Sequence, residues 1–176
     1  MDGEIFLRSA LGKGTTFIVQ IPQIITSEEI SSDKGEQDTE SLVDTIPELR
    51  ILLVEDNEVN RSLASAILVK LGHDVTTAEN GLKGMEMAKK GNFDLIFMDM
   101  QMPVMDGITA TQKIIESLGD DSPPIVALTA NIFEENRNEA MAAGMVGFIT
   151  KPFRKKDLIG AIQTHYRSQG PKKAAS

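Results

Sequence analysis

The chain has 176 residues, of which 41% are hydrophobic and 25% are charged, and its formal net charge is −8. This length accommodates one full-sized α/β domain and an additional segment, because single domains commonly have about 100 to 150 residues. The acidic balance argues against nucleic acid as a partner, since a phosphate backbone is bound by clustered lysines and arginines. The sequence contains no cysteine, which excludes disulfides, thiolate metal sites and a cysteine nucleophile.

The first 22 residues predict a short β-hairpin. Residues 4–9 and 15–21 have the composition of strands, with alternating apolar positions at Phe17, Val19 and Ile21, and glycines at the turn. A lone hairpin of this size is marginally stable in water.

Residues 23–48 form a strongly acidic segment with eight acidic residues and one lysine. It contributes −7 of the net charge of −8, and small polar residues fill most of its other positions. Such a segment buries too little apolar surface to offset the entropy of ordering. We predict that it is a flexible linker to a domain at residues 49–168, followed by a disordered tail at 169–176.

Strand-like and helix-like patterns alternate five times between residues 50 and 168. The predicted strands lie at 51–54, 75–78, 95–98, 125–128 and 146–149, and each is followed by apolar residues at helical spacing. Five such units predict an α/β fold, a (βα)5 doubly wound parallel sheet with helices on both faces. Ligands of these sheets bind beyond the carboxyl ends of the strands, where we look for functional residues.

Polar side chains follow four of the five predicted strands. Glu55 and Asp56 follow the first, Asp99 the third and Thr129 the fourth, while the fifth leads to Lys151. If the strand order is the flavodoxin-like 2-1-3-4-5, the three carboxylates converge and repel one another. Mg²⁺ is the natural counter-charge, because it binds carboxylates and leaves positions for phosphate oxygens.

This constellation suits a phosphoryl group, with one carboxylate as nucleophile and the others holding the metal. Asp99 is our candidate nucleophile because it follows the third strand directly. Thr129 and the backbone NH groups of Met100 and Ala130 could donate hydrogen bonds to phosphoryl oxygens.

Other polar residues have simpler interpretations. Asp56 and Asn57 precede the first predicted helix and Asp106 precedes the third, and these residues are candidates for helix caps. His73 follows a glycine between a helix and a strand, and His165 lies in the last predicted helix. We expect both histidines to be ordinary surface residues.

Residues 50–168 resemble a response-regulator receiver domain in the order and spacing of their motifs. The motifs are Val54-Glu55-Asp56-Asn57, Met98-Asp99-Met100-Gln101-Met102-Pro103, Met105-Asp106-Gly107, Leu128-Thr129-Ala130 and Lys151-Pro152-Phe153. The resemblance implies that Asp99 accepts a phosphoryl group from a phosphohistidine, in a histidine kinase or a histidine phosphotransfer domain. It also implies that such a domain catalyses only its own phosphorylation and dephosphorylation, and is no enzyme otherwise.

The resemblance assigns a role to each remaining site residue. A Mg²⁺ site would be formed by Glu55, Asp56, Asp99 and the carbonyl of Gln101. Lys151 would contact the phosphoryl group. Thr129 and Phe148 would form a conformational switch. The peptide bond between Lys151 and Pro152 is often cis in this family. Phosphorylation would draw Thr129 and Phe148 inward and change the surface around the fourth helix.

The first 22 residues resemble the carboxyl-terminal end of a histidine-kinase ATP-binding domain. The resemblance rests on Met1-Asp2-Gly3-Glu4-Ile5, Ser9 and Leu11-Gly12-Lys13-Gly14-Thr15-Thr16-Phe17. It implies that the chain comes from a hybrid sensor histidine kinase, with the receiver in the cytoplasm even where the kinase is membrane-bound. No apolar run reaches the roughly 20 residues of a membrane span, so we expect this chain to make no membrane contact.

Two other functions fit parts of the pattern. A Mg²⁺-dependent phosphohydrolase with an aspartyl-phosphate intermediate usually has a second aspartate two residues after the nucleophile, where this chain has Gln101. A flavin-binding module of similar fold needs a phosphate-binding loop after the first strand, and the acidic residues there would repel a phosphate.

Overall fold

The computed structural model describes residues 4–10, 14–20, 46–130 and 134–166. The chain divides into two compact units, Met1–Glu36 and Gln37–Ser176. The predicted tail at 169–176 and most of the predicted linker at 23–48 lie outside the described residues.

The first unit contains an antiparallel hairpin of β1 (Glu4–Ala10) and β2 (Gly14–Gln20). The register runs from Glu4 opposite Gln20 to Ala10 opposite Gly14, so both predicted strands are present with slightly different ends. Phe6 and Leu7 point to opposite faces of the hairpin, and both are about half exposed. Two strands of this size are too few to bury both side chains.

In its described residues the second unit has a five-stranded parallel sheet, five α-helices and a short 3₁₀ helix at Gly119–Asp121. Its elements are β3 (Arg50–Val54), α1 (Glu58–Lys70), β4 (Asp74–Ala78), α2 (Gly81–Lys90), β5 (Leu95–Asp99), α3 (Gly107–Leu118), β6 (Ile125–Thr129), α4 (Glu134–Ala142), β7 (Gly147–Thr150) and α5 (Lys155–Tyr166). The strand order is β4-β3-β5-β6-β7. This is the order 2-1-3-4-5 of the five strands, so the predicted fold class is confirmed.

Each face of the sheet has its own hydrophobic core because successive strand residues point to opposite sides. The core beneath α1 and α5 takes one set of side chains from β3 and β5, namely Ile51, Leu53, Leu95 and Phe97. The core beneath α2, α3 and α4 takes the alternate set, namely Leu52, Val54, Ile96 and Met98. Strands that are buried on both faces have near-continuous apolar sequences for this reason.

Two of the helices begin at the predicted caps. The Asn57 side chain accepts hydrogen bonds from the backbone NH groups of Val59 and Asn60 at the start of α1. The Asp106 side chain accepts one from the NH of Thr109 at the start of α3. These caps fix where the loops after β3 and β5 end, and both loops carry acidic residues.

His73 is buried, so the expectation that it lies on the surface was wrong. Its exposed fraction is 6%, and its Nδ1 accepts a hydrogen bond from the Leu49 backbone NH at 3.4 Å. Burial lowers the pKa of His73, although the nearby Glu48 acts in the opposite direction. His165 is half-buried, and burial lowers its pKa too. None of the described helices combines the length and apolar composition needed to cross a membrane.

Candidate functional site

Three carboxylates meet at the carboxyl ends of β3 and β5. Glu55 and Asp56 follow β3, and Asp99 is the last residue of its neighbour β5. One carboxylate oxygen from each residue lies within 4.8 Å of the others. Glu55 is 0% exposed and Asp99 3%, whereas Asp56 is exposed to solvent. The site therefore has a buried floor and an open side.

Lys151 reaches this cluster from the loop after β7. Its Nζ lies 2.6 Å from Glu55 Oε2 and 2.7 Å from Asp99 Oδ2. The peptide bond from Lys151 to Pro152 is cis. One ammonium group against three carboxylates leaves a formal charge of −2, so the site still favours a cation.

Burial raises the pKa of the Asp99 carboxyl to about 6, from an ordinary value of 3.8. The charge of Glu55 acts in the same direction, whereas contacts with Lys151 and with the Gln101 NH oppose the rise. Keeping the Asp99 carboxylate charged at neutral pH therefore costs the folded protein free energy. A bound cation would relieve that cost.

The donor set fits Mg²⁺, a hard ion that takes oxygen ligands and keeps several of its waters. Glu55 Oε2 is buried close to the Lys151 ammonium but makes no well-directed hydrogen bond, so it keeps electron pairs for a metal. The exposed Asp56 offers a ligand on the solvent side, where bound waters have room. Residues from two strand ends can therefore hold the ion between them.

Two backbone NH groups beside Asp99 have different partners. The NH of Met100 donates to the Leu128 carbonyl at 3.0 Å and is thus committed to the sheet. It is the NH of Gln101 that points to the site, donating to Asp99 Oδ1 at 3.2 Å. The phosphoryl contact expected of Met100 therefore stays a prediction, and the Gln101 NH is a further candidate donor.

A cleft of about 320 Å³ opens beyond the carboxyl ends of β5 and β6. It is lined by residues of the loops after β5 and β6 and of the neighbouring helices: Met100, Gln101, Asp106, Ile108, Thr109, Thr129, Ala130 and Glu139. Thr129 is buried at the end of β6, and Ala130 is exposed beside it. The cleft gives a small group access from solvent to the threonine hydroxyl.

Phe148 of β7 lies on the same face of the sheet as Thr129. It pairs with Ala127, two residues before Thr129, and side chains two residues apart share a face. The Arg137 guanidinium of α4 lies over the Phe148 ring, 5.2 Å from its centroid. Phe148 is half-buried, so an inward movement would have to break this contact.

Asn60 and Arg61 of α1 also reach the acidic loop, and sequence reasoning missed both. Asn60 Nδ2 donates to Glu55 Oε1 at 3.2 Å, and Arg61 Nη1 donates to the backbone carbonyls of Glu55 and Asp56 at 2.7 and 3.0 Å. Two adjacent polar residues early in a helix give little signal by themselves. Their position three and four residues after the capping residue Asn57 is the one signal that could have placed them near this loop.

We compared the chain with known protein families, curated proteins and solved structures. The family model described as response regulator receiver domain matches residues 51–163. The chain belongs to the response-regulator receiver family. Receiver domains are phosphoacceptors in signalling, not enzymes in the usual sense, and this membership does not favour the phosphohydrolase alternative.

Individual relatives extend this comparison. The receiver and its preceding segment are 35% identical to the aerobic respiration control sensor protein ArcB of Escherichia coli over 170 residues. That alignment covers 96% of this chain but 21% of ArcB, so the chain spans about a fifth of its relative.

Two solved structures have the same fold. The receiver domain of sensor histidine kinase PA1611 from Pseudomonas aeruginosa, with magnesium in its active-site cleft, is 36% identical, with a TM-score of 0.64 over 69% of this chain and 99% of that one. A chain in the co-crystal structure of the Saccharomyces cerevisiae histidine phosphotransfer protein Ypd1 and the Ssk1 receiver is 29% identical. Its TM-score is 0.68 over 73% of this chain and 95% of that one.

Proposed function

We propose that this receiver accepts a phosphoryl group on Asp99 from a phosphohistidine, with Mg²⁺ held by Glu55, Asp56, Asp99 and the carbonyl of Gln101. The observation that carries the proposal is the convergence of three carboxylates with one lysine at a single sheet edge. When bound, Mg²⁺ supplies positive charge to the carboxylates and to the phosphoryl oxygens.

The residues of the chain divide the remaining work. An Asp99 oxygen attacks phosphorus and the P–N bond breaks. Because the other ring nitrogen of the phosphohistidine carries a proton, the imidazole leaves neutral with the electron pair of that bond. Lys151, now 2.7 Å from Asp99 Oδ2, then contacts a phosphoryl oxygen. The Gln101 NH, the Ala130 NH and the Thr129 hydroxyl donate to the other oxygens. Here we prefer Gln101 to Met100, because the Met100 NH is bonded to the Leu128 carbonyl.

The new phosphoryl group adds roughly two negative charges and three acceptor oxygens. We propose that Thr129 moves towards it and that Phe148 follows into the vacated space. Phe148 lacks the hydroxyl of a tyrosine, so this movement must act through packing rather than through a new hydrogen bond. The surface formed by α4 and β7 changes as a result.

A direct labelling experiment tests the assignment. Incubation with acetyl phosphate and Mg²⁺ should add one phosphoryl mass to the wild-type chain, as seen by intact mass spectrometry. Asp99→Asn should remain unlabelled because no nucleophile is left. Asp74→Asn, at the opposite end of the sheet, is the matched control and should be labelled normally. Labelling of Asp99→Asn at the wild-type rate would contradict the proposal.

We propose that the phosphohistidine partner, a kinase or phosphotransfer domain, docks on the first turns of α1. Val59 and Leu63 lie four residues apart on one helix face, 75% and 52% exposed, immediately after the acidic loop. Exposed apolar side chains beside a charged site are typical of a docking surface. Contact here brings a phosphohistidine towards Asp99.

Leu63→Asp separates docking from chemistry. It should slow transfer from a phosphorylated histidine domain by at least tenfold, while labelling by acetyl phosphate stays unchanged. Val69→Asp is the control, because Val69 is exposed at the far end of the same helix. Equal effects of the two variants on protein-to-protein transfer would contradict this docking site.

We further propose that the hairpin β1–β2 is the end of a kinase ATP-binding domain and that the whole protein is a hybrid sensor kinase of the cytoplasm or inner membrane face. The ArcB alignment supports this, because its 96% coverage extends through the hairpin as well as the receiver. The expected result is that this chain binds no nucleotide by calorimetry, whereas a longer chain that includes the complete ATP-binding domain does.

A further inference from the structure

Every polar group of Glu55 lies against another part of the fold. Its backbone NH donates to the Ala78 carbonyl at 3.1 Å, and its Oε2 lies 2.6 Å from the Lys151 ammonium. Its Oε1 accepts from Asn60 Nδ2, and its backbone carbonyl accepts from Arg61 Nη1. Two of these four contacts come from α1, the helix that follows the acidic loop.

Arg61 holds the loop through its backbone rather than through its carboxylates. A single nitrogen, Nη1, donates to two consecutive carbonyls, those of Glu55 at 2.7 Å and Asp56 at 3.0 Å. Among the described residues, the Asp56 carboxylate has no hydrogen-bond or ion-pair partner, so it stays available to a cation. An arginine paired with that carboxylate would instead compete with the metal.

The loop and the helix therefore support each other. Asn57 caps α1 by accepting from the NH groups of Val59 and Asn60, while Arg61 donates back to the two residues before the cap. This closes a short ring of hydrogen bonds around the turn between β3 and α1. A ring of this kind fixes the direction in which the Glu55 and Asp56 side chains leave the backbone.

We propose that Arg61, supported by Asn60, is a positioning residue that holds Glu55 and Asp56 in the geometry for binding a divalent cation. This inference deepens the proposed function and rests on its Mg²⁺ site. Partners that orient metal ligands are commonly worth about tenfold or more in metal affinity. The positive charge of Arg61 by itself has the opposite effect, since it repels a cation.

These opposing effects make the proposal testable with metal alone. We would measure Mg²⁺ affinity of the full chain by titration calorimetry, and amide hydrogen exchange at residues 55–57 without metal. Arg61→Gln should weaken Mg²⁺ binding about tenfold and accelerate exchange at these amides. Arg61→Lys keeps the charge on a more flexible side chain, so it should recover only part of the affinity.

Arg50→Gln is the matched control. It removes the same charge at the opposite end of β3, where Arg50 forms a longer exposed pair with Asp94, and should leave both readouts unchanged. The thermal midpoint of both Arg61 variants without metal should stay close to that of the wild type. A general loss of stability would instead lower this midpoint.

Two results would overturn the inference. One is Mg²⁺ binding by Arg61→Gln that equals or exceeds wild type, because charge repulsion alone predicts a gain. The other is unchanged amide exchange at residues 55–57. Neither depends on phosphorylation, so labelling of Asp99→Asn would refute the proposed function separately.

Discussion

Replacing Asp99 with asparagine should stabilise the metal-free receiver at neutral pH, even though it removes the proposed phosphorylation site. Asp99 is 3% exposed, and its carboxylate shares the site with Glu55 and Asp56. Among the described residues, Lys151 alone contributes a positive charge in contact with it. Asparagine has nearly the same shape and keeps an acceptor for the Gln101 NH while removing one buried negative charge.

The magnitude follows from the pKa of Asp99. Burial raises this pKa from 3.8 to about 6. At about 1.36 kcal/mol for each pKa unit, holding the group charged at pH 7.5 costs up to about 3 kcal/mol of unfolding free energy. Local relaxation and water entry reduce this value. We therefore expect Asp99→Asn to gain about 1 to 3 kcal/mol at pH 7.5.

The gain should depend on pH in a defined direction. Between pH 3.8 and about 6 the folded chain holds a proton on Asp99 that the unfolded chain has lost. The unfolding free energy of the wild type thus falls as the pH rises through this window, and the variant does not share this fall. His73 acts oppositely, because its lowered pKa costs stability as the pH falls below 6.5, but it contributes equally to both proteins.

Urea denaturation followed by circular dichroism in a metal chelator measures the difference at pH 4.0 and pH 7.5. Saturating Mg²⁺ should then reverse the order of stability, since about 1,000 times the dissociation constant adds about 4.1 kcal/mol to the wild type. Asp120→Asn, at an exposed position, is the control and should change little. A variant that is no more stable than wild type at pH 7.5, or equally favoured at both pH values, would refute the reasoning.

Three further changes test other features of the fold. A Cβ on Gly107 would overlap the carbonyl oxygen at the end of β5, so Gly107→Ala should lose about 1 to 3 kcal/mol in urea denaturation, whereas Gly160→Ala, with open space around it, should lose nothing. Val104 is β-branched and 78% exposed, and its φ of 71° lies in the left-handed region, which asparagine adopts more readily than valine. Val104→Asn should therefore raise the free energy of unfolding in urea by about 0.5 to 1 kcal/mol, and a decrease would contradict this. Arg137→Gln removes a contact worth about 0.5 to 1 kcal/mol over Phe148, so amide exchange in α4 should accelerate, and unchanged exchange would show that the contact does not hold the helix.

The fold class and the residues at the strand ends were predictable from local patterns in the chain. Apolar runs of strand length separated by helical spacing require strands buried between layers of helices, and this local pattern survives in the structure. The caps Asn57 and Asp106 were also predictable, because a side chain that caps a helix acts on backbone within three residues of itself. These features depend on neighbours along the chain.

Features that depend on distant parts of the chain became visible only in the folded protein. The pairing of β3 with β5 brings Glu55 to Asp99, and Lys151 reaches both from another strand end. The raised pKa of Asp99 follows from burial among these groups, which no local pattern encodes. The buried position of His73 likewise depends on Leu49, 24 residues away. Composition and spacing determine which groups are available, whereas packing determines their distances, their burial and therefore their chemistry.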